Sequence, residues 1–469
     1  MPDQITIPVW IFLILLIAAI LSILDRIFIP SIRWFLRRRI YKVIDEISTR
    51  LDIGIRPFQL TKRQVLIDRL VYDQKVVEAI HAHSKESYSP YEVVQAEVIK
   101  YAKEIVPSFN AYLYFRIGYW LAKKIARLLY RVRFGLYDKD EYESVNRDST
   151  VVFVMNHRSN MDYILVAFLA AERTTLSYAV GEWAKIWPLQ TLIRSMGAFF
   201  VRRNSGIPLY RLVLERYVHM ATREGVCQAV FLEGGLSRDG QLRSPKYGFI
   251  DYMLRSFDPE NDRDIIFIPV GINYDRTLED RSLLYGLNPA AKKRSMWFVI
   301  KTTFGFIIHN LILMIFRKWR DFGYACVNFG PSLSAKQYCQ DHGLNFSKLN
   351  RSLRFKEVEN VCKILMNSIQ HIIPVLPVAL VSAVFIESSG KPMSEFDVKA
   401  KVHHVIEETK KKGGRIYLSK RSSEQSITDA IEMLKLRKMI VESEGRLTAD
   451  PNSMDVLTYY ANAILHWRN

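Results

Sequence analysis

Cysteine is scarce. Four residues in 469, Cys227, Cys326, Cys339 and Cys362, lie far apart with no CxxC and no Cys/His cluster. Neither a disulfide framework nor a zinc site has support, no metal is expected, and a reducing compartment is the natural setting. Acidic residues are outnumbered, 48 against 66 Lys and Arg, which leaves a net charge of +18 and points to nucleic acid or an anionic membrane surface as partner. The chain has no internal repeat, no low-complexity segment, no G-x-G-x-x-G and no P-loop sequence, so nucleotide chemistry is not expected. It also lacks a G-x-S-x-G nucleophile elbow. What it does have, 49% hydrophobic and 24% charged residues, excludes intrinsic disorder and a collagen-like fibre. At about 150 residues per domain the length suggests roughly three units.

Charge is missing altogether over residues 4–24, and at about 1.5 Å per residue a helix of that length crosses a hydrocarbon core of about 30 Å. Only Asp3 precedes it, without the basic n-region of a cleaved signal peptide. Arg26, Arg33, Arg37, Arg38, Arg39 and Lys42 follow it, so the positive-inside rule predicts a transmembrane anchor with the remaining chain cytoplasmic, and the lack of an Arg- and Ser-rich transit segment before the span points to a bacterial inner membrane. Residues 25–50 suit a membrane interface. Residues 51–135 read as helical, with Thr61 as an N-cap and Pro90 and Pro107 as punctuation. The last part of that stretch carries Arg116, Lys123, Lys124, Arg127, Arg131 and Arg133 with no acidic residue between Glu104 and Asp138. Both a membrane-contacting face and an ordinary packed helix with a basic edge fit it.

Near Ser149 the texture changes. TVVFVMN, TLSYAV, GAFFVRR, QAVFLEGG, IIFIPVGI and YACVNFG are short apolar runs separated by helical stretches, the pattern of an α/β layer with a mostly parallel sheet flanked by helices. The expected organisation is an anchor at 4–24, a basic amphipathic and helical region at 25–148, a catalytic domain at 149–345 and a mostly helical region at 346–469. Residues 302–316 fit a surface-inserted, re-entrant or core helix. Residues 372–386, with two prolines, read as a loop leading into a buried helix, and Lys399 to Lys412 as a solvated helix.

Chemistry concentrates in Asn156-His157-Arg158-Ser159-Asn160-Met161-Asp162. His157 falls just past the C-terminal end of a buried strand, where open α/β sheets place ligands, and Ser159 or Asn160 fits as cap of the next helix. A carboxylate in the first helical turn can hold an imidazole in one tautomer and leave the other nitrogen as a general base. A base without an enzyme nucleophile activates a substrate hydroxyl or water. Two further strand ends carry Arg202 and Arg203, and Glu233, Gly234, Gly235, Ser237 and Arg238, with Arg243 and Lys246 beyond. Glycines let backbone N–H groups approach an anion and arginines bind phosphate bidentately, so the acceptor is expected to carry phosphate.

The run HRSNMD resembles the HxxxxD first motif of the glycerolipid acyltransferase superfamily. GAFFVRR resembles its second motif, FLEGGLSR its third and Ile268-Pro269-Val270 its fourth. With SPKYG and Leu457 to His466, the chain is similar to membrane-bound glycerol-3-phosphate 1-O-acyltransferases. The resemblance implies that His157 takes the proton of the sn-1 hydroxyl of glycerol 3-phosphate, which then attacks an acyl-CoA or acyl-ACP thioester, and that Asp162 orients the imidazole. It implies further that Arg202, Arg203, Glu233, Gly234, Gly235, Ser237, Arg238 and Lys246 hold the acceptor, that Ile268, Pro269 and Val270 line the acyl site, and that no cofactor is needed. Leu236 stands where the family commonly has Arg, with Arg238, Arg243 or Lys246 as replacements, and Asn160 where His is often found. Three alternatives stand beside this reading: acylation of dihydroxyacetone phosphate or a lysophospholipid, a non-catalytic protein binding anionic lipid, and, on charge alone, a nucleic-acid binder.

Overall fold

The computed structural model describes residues 55–136, 145–170, 174–181, 189–202, 205–285, 322–419 and 422–468. The stretches 4–24, 25–50 and 302–316 singled out in the sequence lie outside them, as does Arg203. Among the described residues no helix is long and apolar enough to cross a membrane.

Apolar residues three and four apart build the first elements, α1 (Arg63–Val71), α2 (Gln74–Ser87) and α3 (Tyr91–Ile105). Asp73 caps α2, and Pro90 and Pro107 bracket α3 as the sequence predicts. Thr61 is not an N-cap. It ends the single turn Pro57–Leu60, and its hydroxyl is spent backward on the Pro57 carbonyl, away from the N–H groups of α1. After one π-helical turn (Leu113–Gly118) comes α4 (Tyr119–Leu129), which buries Ala122 and Ala126 and exposes Trp120, Lys124, Arg127 and Leu128.

The helical reading of residues 51–135 fails at Tyr130, where the backbone turns extended and Arg131–Leu136 forms β1. Six alternating residues are a weak signal beside the basic helix that precedes them. The sheet therefore gains a strand from before residue 149. Its other members are β2 (Thr150–Met155), β3 (Ser177–Gly181), β4 (Phe199–Val201), β5 (Gln228–Phe231), β6 (Ile265–Tyr274), β7 (Tyr324–Phe329) and β8 (Leu333–Ser334), in the order β1-β7-β6-β2-β5-β3-β4 with β8 beside β6. Strands β6, β2, β5, β3 and β4 run parallel, while β7 and β8 oppose β6 and β1 follows β7. Interleaved are α5 (Met161–Ala170), α6 (Leu189–Ser195), α7 (Pro208–Arg223), α8 (Gly248–Leu254) and α9 (Asp280–Tyr285).

Alternate side chains of the central strands serve two cores. Val152, Val154 and Phe267 pack with α1 to α3, α7 and α8, whereas Val151, Met155, Ile268, Val270 and Tyr274 pack with α5. Pro269 is tolerated in this central strand because it sits where the neighbour of β6 changes from β8 to β7. After β8 come α10 (Ala335–Asp341) and then α11 (Arg351–Ile372), which lays Val358, Val361, Cys362, Leu365 and Ile369 into the first core. A further core surrounds α12 (Pro377–Glu387), buried throughout from Pro377 to Phe385 as the sequence predicts. Around it lie α13 (Glu395–Lys411), α14 (Ser423–Leu436), α15 (Met454–Ala461) and an antiparallel sheet of β9 (Met393–Ser394), β10 (Ile440–Ser443) and β11 (Arg446–Ala449) that the sequence reading missed. Helix α13 is not solvated all round, since Val398, Val402, Val405, Ile406 and Thr409 are buried along one side.

Candidate active site

Strand β2 ends at Met155, and the Asn156 amide then pairs both ways with the backbone of Ile272, donating to its carbonyl at 2.9 Å and accepting from its N–H at 2.7 Å. This fixes the exit of the chain toward His157. Ser159 caps α5, its hydroxyl accepting from Met161 N at 3.1 Å, and Asp162 in the first turn reaches back to accept from Ser159 N at 3.1 Å and Arg158 N at 2.8 Å. The same oxygen, Asp162 Oδ2, lies 2.8 Å from His157 Nδ1, while Oδ1 accepts from the Tyr274 hydroxyl at 2.7 Å. Asp162 is thus an ionised acceptor on every side, which makes Nδ1 the protonated nitrogen and leaves Nε2 with its lone pair. Burial, together with Asp162, raises the Tyr274 phenol well above its ordinary value, so it stays a donor. The imidazole stacks on Phe231 at 3.9 Å and meets the Tyr163 ring edge-on at 5.5 Å.

Both backbone groups of His157 are gripped by the loop after β5. Its N–H donates to Glu233 Oε1 at 2.8 Å, and its carbonyl accepts from Ser237 N at 2.9 Å. Glu233 Oε2 accepts from Arg243 N at 2.8 Å, so both carboxylate oxygens serve the protein's own backbone. Burial pushes the Glu233 carboxyl up to about 7 against the pull of those two N–H groups. Gly234 has φ +65°, and a Cβ there would meet Lys246 Cγ at 2.8 Å, while one on Gly235 would meet Arg243 Nη1 at 3.0 Å. The glycines therefore leave room over the turn for the aliphatic stem of Lys246 and the guanidinium of Arg243, which also donates to the Leu236 carbonyl at 3.3 Å. Ser237 is buried, its hydroxyl donating to the Gln241 carbonyl at 2.7 Å and accepting from Gly240 N at 3.1 Å, whereas Arg238 is exposed.

Other expected residues stand elsewhere. Arg202 directly follows the edge strand β4, three strands and roughly 14 Å from β2. Its guanidinium is bidentate to Glu104, with bonds of 3.0 and 2.7 Å, and lies over the Tyr101 and Tyr210 rings. Ile268, Pro269 and Val270 pair with Phe153, Val154 and Met155 and are buried in the sheet, so they fill the core and offer no surface to an acyl chain. The cause is position: they sit mid-strand in β6, between β2 on one side and the changeover from β8 to β7 on the other.

Four contributors were missed. Tyr274 shares the face of Ile268, Val270 and Ile272 at spacings of two, and the polar triplet Asn273-Tyr274-Asp275 closing an apolar strand was its signal. Glu279 accepts from the Ser159 hydroxyl at 2.7 Å and Asn160 N at 3.2 Å, and burial raises its carboxyl. Tyr459 and Tyr460, on α15, hold the flanks of the loop. The Arg158 guanidinium lies 5.2 Å over the Tyr459 ring, and the Tyr460 hydroxyl donates to Asp280, next to Glu279, at 2.5 Å. The last two stand in the Leu457 to His466 segment that carries part of the resemblance, but nothing local gives them a role, because they meet the histidine loop only through the tertiary fold.

A family model described as Acyltransferase matches residues 138–273, and one described as Glycerol-3-phosphate acyltransferase C-terminal region matches residues 310–468. The glycerol-3-phosphate acyltransferase of Alteromonas mediterranea is 26% identical over 424 residues, covering 87% of this chain and 50% of that protein. That of Ectopseudomonas mendocina is 30% identical over 284 residues, 60% of this chain and 32% of that protein. The chain thus spans half or less of the length of these curated relatives. A solved structure, the 1-acyl-sn-glycerophosphate acyltransferase of Thermotoga maritima, is 14% identical with a TM-score of 0.30, covering 65% of this chain and 97% of that one.

Proposed function

We propose, from its similarity to glycerol-3-phosphate acyltransferases, that the chain moves a fatty acyl group from acyl-CoA or acyl-ACP to the sn-1 hydroxyl of glycerol 3-phosphate. The product is 1-acyl-glycerol 3-phosphate. The observation that carries the reading is the 2.8 Å contact between His157 Nδ1 and an Asp162 oxygen already bonded to two backbone N–H groups. His157 Nε2 takes the hydroxyl proton as that oxygen attacks the thioester carbon. The C–O bond forms, the C–S bond breaks as the tetrahedral intermediate collapses, and the imidazolium returns its proton to the leaving thiolate. Asp162 stabilises the transient imidazolium. Positioned general bases contribute about 10²- to 10⁴-fold. The nucleophile is the acceptor's own hydroxyl, so the scheme requires neither a metal nor an acyl-enzyme.

The acceptor phosphate is assigned to the Gly234-Gly235 turn with Arg243 and Lys246, which lie over it, and with Arg238 at the rim. The proposed site of action is the cytoplasmic side of the cell inner membrane. Two features support it: the uncharged stretch 4–24 followed by arginines, and the outer side of the 113–129 segment, where exposed Ile117, Trp120 and Leu128 are interspersed with exposed Arg116, Lys124 and Arg127.

The test uses membranes carrying the wild type or His157→Ala, supplied with glycerol 3-phosphate and a long-chain acyl thioester. Acceptor-dependent release of thiol and of 1-acyl-glycerol 3-phosphate, falling at least about 10²-fold in the variant at equal protein level, is the expected result. Wild type that releases no thiol in response to the acceptor, with either donor, overturns the reading.

A further inference from the structure

Helix α15 lies about three hundred residues beyond the histidine, yet its contacts converge on the loop that carries it. Arg158, adjacent to His157, is only 4% exposed, and among the described residues it makes no salt bridge, although its charge acts on the Glu233 carboxyl. Its Nη1 donates to the Gly240 carbonyl, its Nη2 lies 3.4 Å from Asn273 Oδ1, and its Nε has no partner. The face of the Tyr459 ring, 5.2 Å from the guanidinium carbon, therefore adds to the Gly240 carbonyl and the Glu233 carboxyl in compensating a buried positive charge. The Tyr459 hydroxyl adds little, lying 3.5 Å from the Arg158 carbonyl and 3.4 Å from Thr277 Oγ1.

The same residue bears on the loop after β5. Gly240 has φ +87°, and a Cβ on it would run into the Tyr459 carbonyl oxygen, so the two backbones are in direct contact. One turn further on, Asn462 donates to the Asp239 carbonyl at 2.8 Å. That loop holds the His157 backbone from both sides, through Glu233 and Ser237. Whatever fixes Gly240 and Arg158 therefore fixes the imidazole.

We propose that Tyr459 is a positioning residue for the reaction, acting through Arg158 and Gly240 to hold the histidine loop and the 237–243 loop in register. The C-terminal region, on this view, completes the site without touching substrate. The kinetic arm of the test rests on the acyl-transfer reading. The second arm does not.

Tyr459→Leu removes the ring face and Tyr459→Phe keeps it. The Leu variant is expected to lose about tenfold in kcat with KM for both substrates within about twofold, while the Phe variant stays near wild type. Gly240→Ala is expected to lower kcat as well. Gly413→Ala imposes the same backbone strain, at φ +89°, where a Cβ meets nothing within 4 Å, and is expected to leave kcat unchanged. Hydrogen exchange read on the same variants should speed up at amides 237–243 in Tyr459→Leu and not in Tyr459→Phe. Unchanged kcat and unchanged exchange in a folded Leu variant overturn the proposal, as does a Phe variant as impaired as Leu. If the wild type does not turn over glycerol 3-phosphate, the functional reading fails, and the exchange data alone decide the role of Tyr459.

Discussion

Asp162 accepts from His157, from two backbone N–H groups and from the Tyr274 hydroxyl, so its substitutions separate chemistry from capping. Asp162→Asn can place its amide oxygen among the three clustered donors and turn its NH₂ toward the Tyr274 hydroxyl, which rotates to accept. It should fold, while kcat falls about 10²- to 10³-fold through loss of the charge that stabilises the imidazolium. Asp162→Ala orphans buried donors as well and should also lower stability by about 1–3 kcal/mol, read from the urea midpoint. Glu233 gives a pH signature. Its carboxyl ordinarily titrates near 4.5 and is pushed up to about 7 in the fold by burial. Between those values the folded chain keeps a proton that the unfolded chain releases, so this group's contribution makes stability fall as pH rises from about 4.5 to about 7 and then level off. Glu233→Gln should flatten that part of a Tm-against-pH curve. Equal slopes in the two proteins would show that Glu233 does not titrate there.

At the scale of elements, Asp275 joins three that are distant in sequence. It follows β6, accepts from Tyr324 N at the start of β7 at 2.8 Å and from Val378 N in the first turn of α12 at 3.0 Å. Asp275→Ala leaves two buried N–H groups unpaired and should cost about 2–4 kcal/mol in a denaturant titration, with the change in Tm to match. The strands with long apolar runs were legible in the sequence because burial on both faces leaves no polar interruption. His157 and Asp162 were legible because only a short loop and the first residues of a helix join them. Strand β1 was not, since Arg131, Arg133 and Phe134 are exposed and hide its alternation behind a basic helix. The hairpin of β10 and β11 escaped because its turn is built on Glu444 and Gly445, both at positive φ, without the Asn-Gly or Asp-Gly pair that advertises such turns. Arg202 misled for another reason: a cation at a strand end looks the same in sequence whether it faces a ligand or Glu104.

For the molecule as a whole, the net charge of +18 gains meaning where cations and apolar side chains share one surface. The exposed side of α4 has that character, and docking onto anionic lipid should bring Trp120 within reach of the acyl chains. With brominated anionic lipid, quenching of tryptophan emission should be smaller in Trp120→Phe than in wild type, and that difference should vanish in Lys124→Glu/Arg127→Glu. Equal quenching in wild type and Trp120→Phe would place this surface away from the bilayer. The contact between Arg158 and Tyr459 has a different consequence, one of time. It spans 301 residues. At about 5–20 residues per second, synthesis delivers His157 roughly 15–60 s before the tyrosine that braces its loop. A chain still on the ribosome therefore holds His157 in a loop that the proposed brace has not yet reached, and a fragment that stops short of residue 459 should lack that brace.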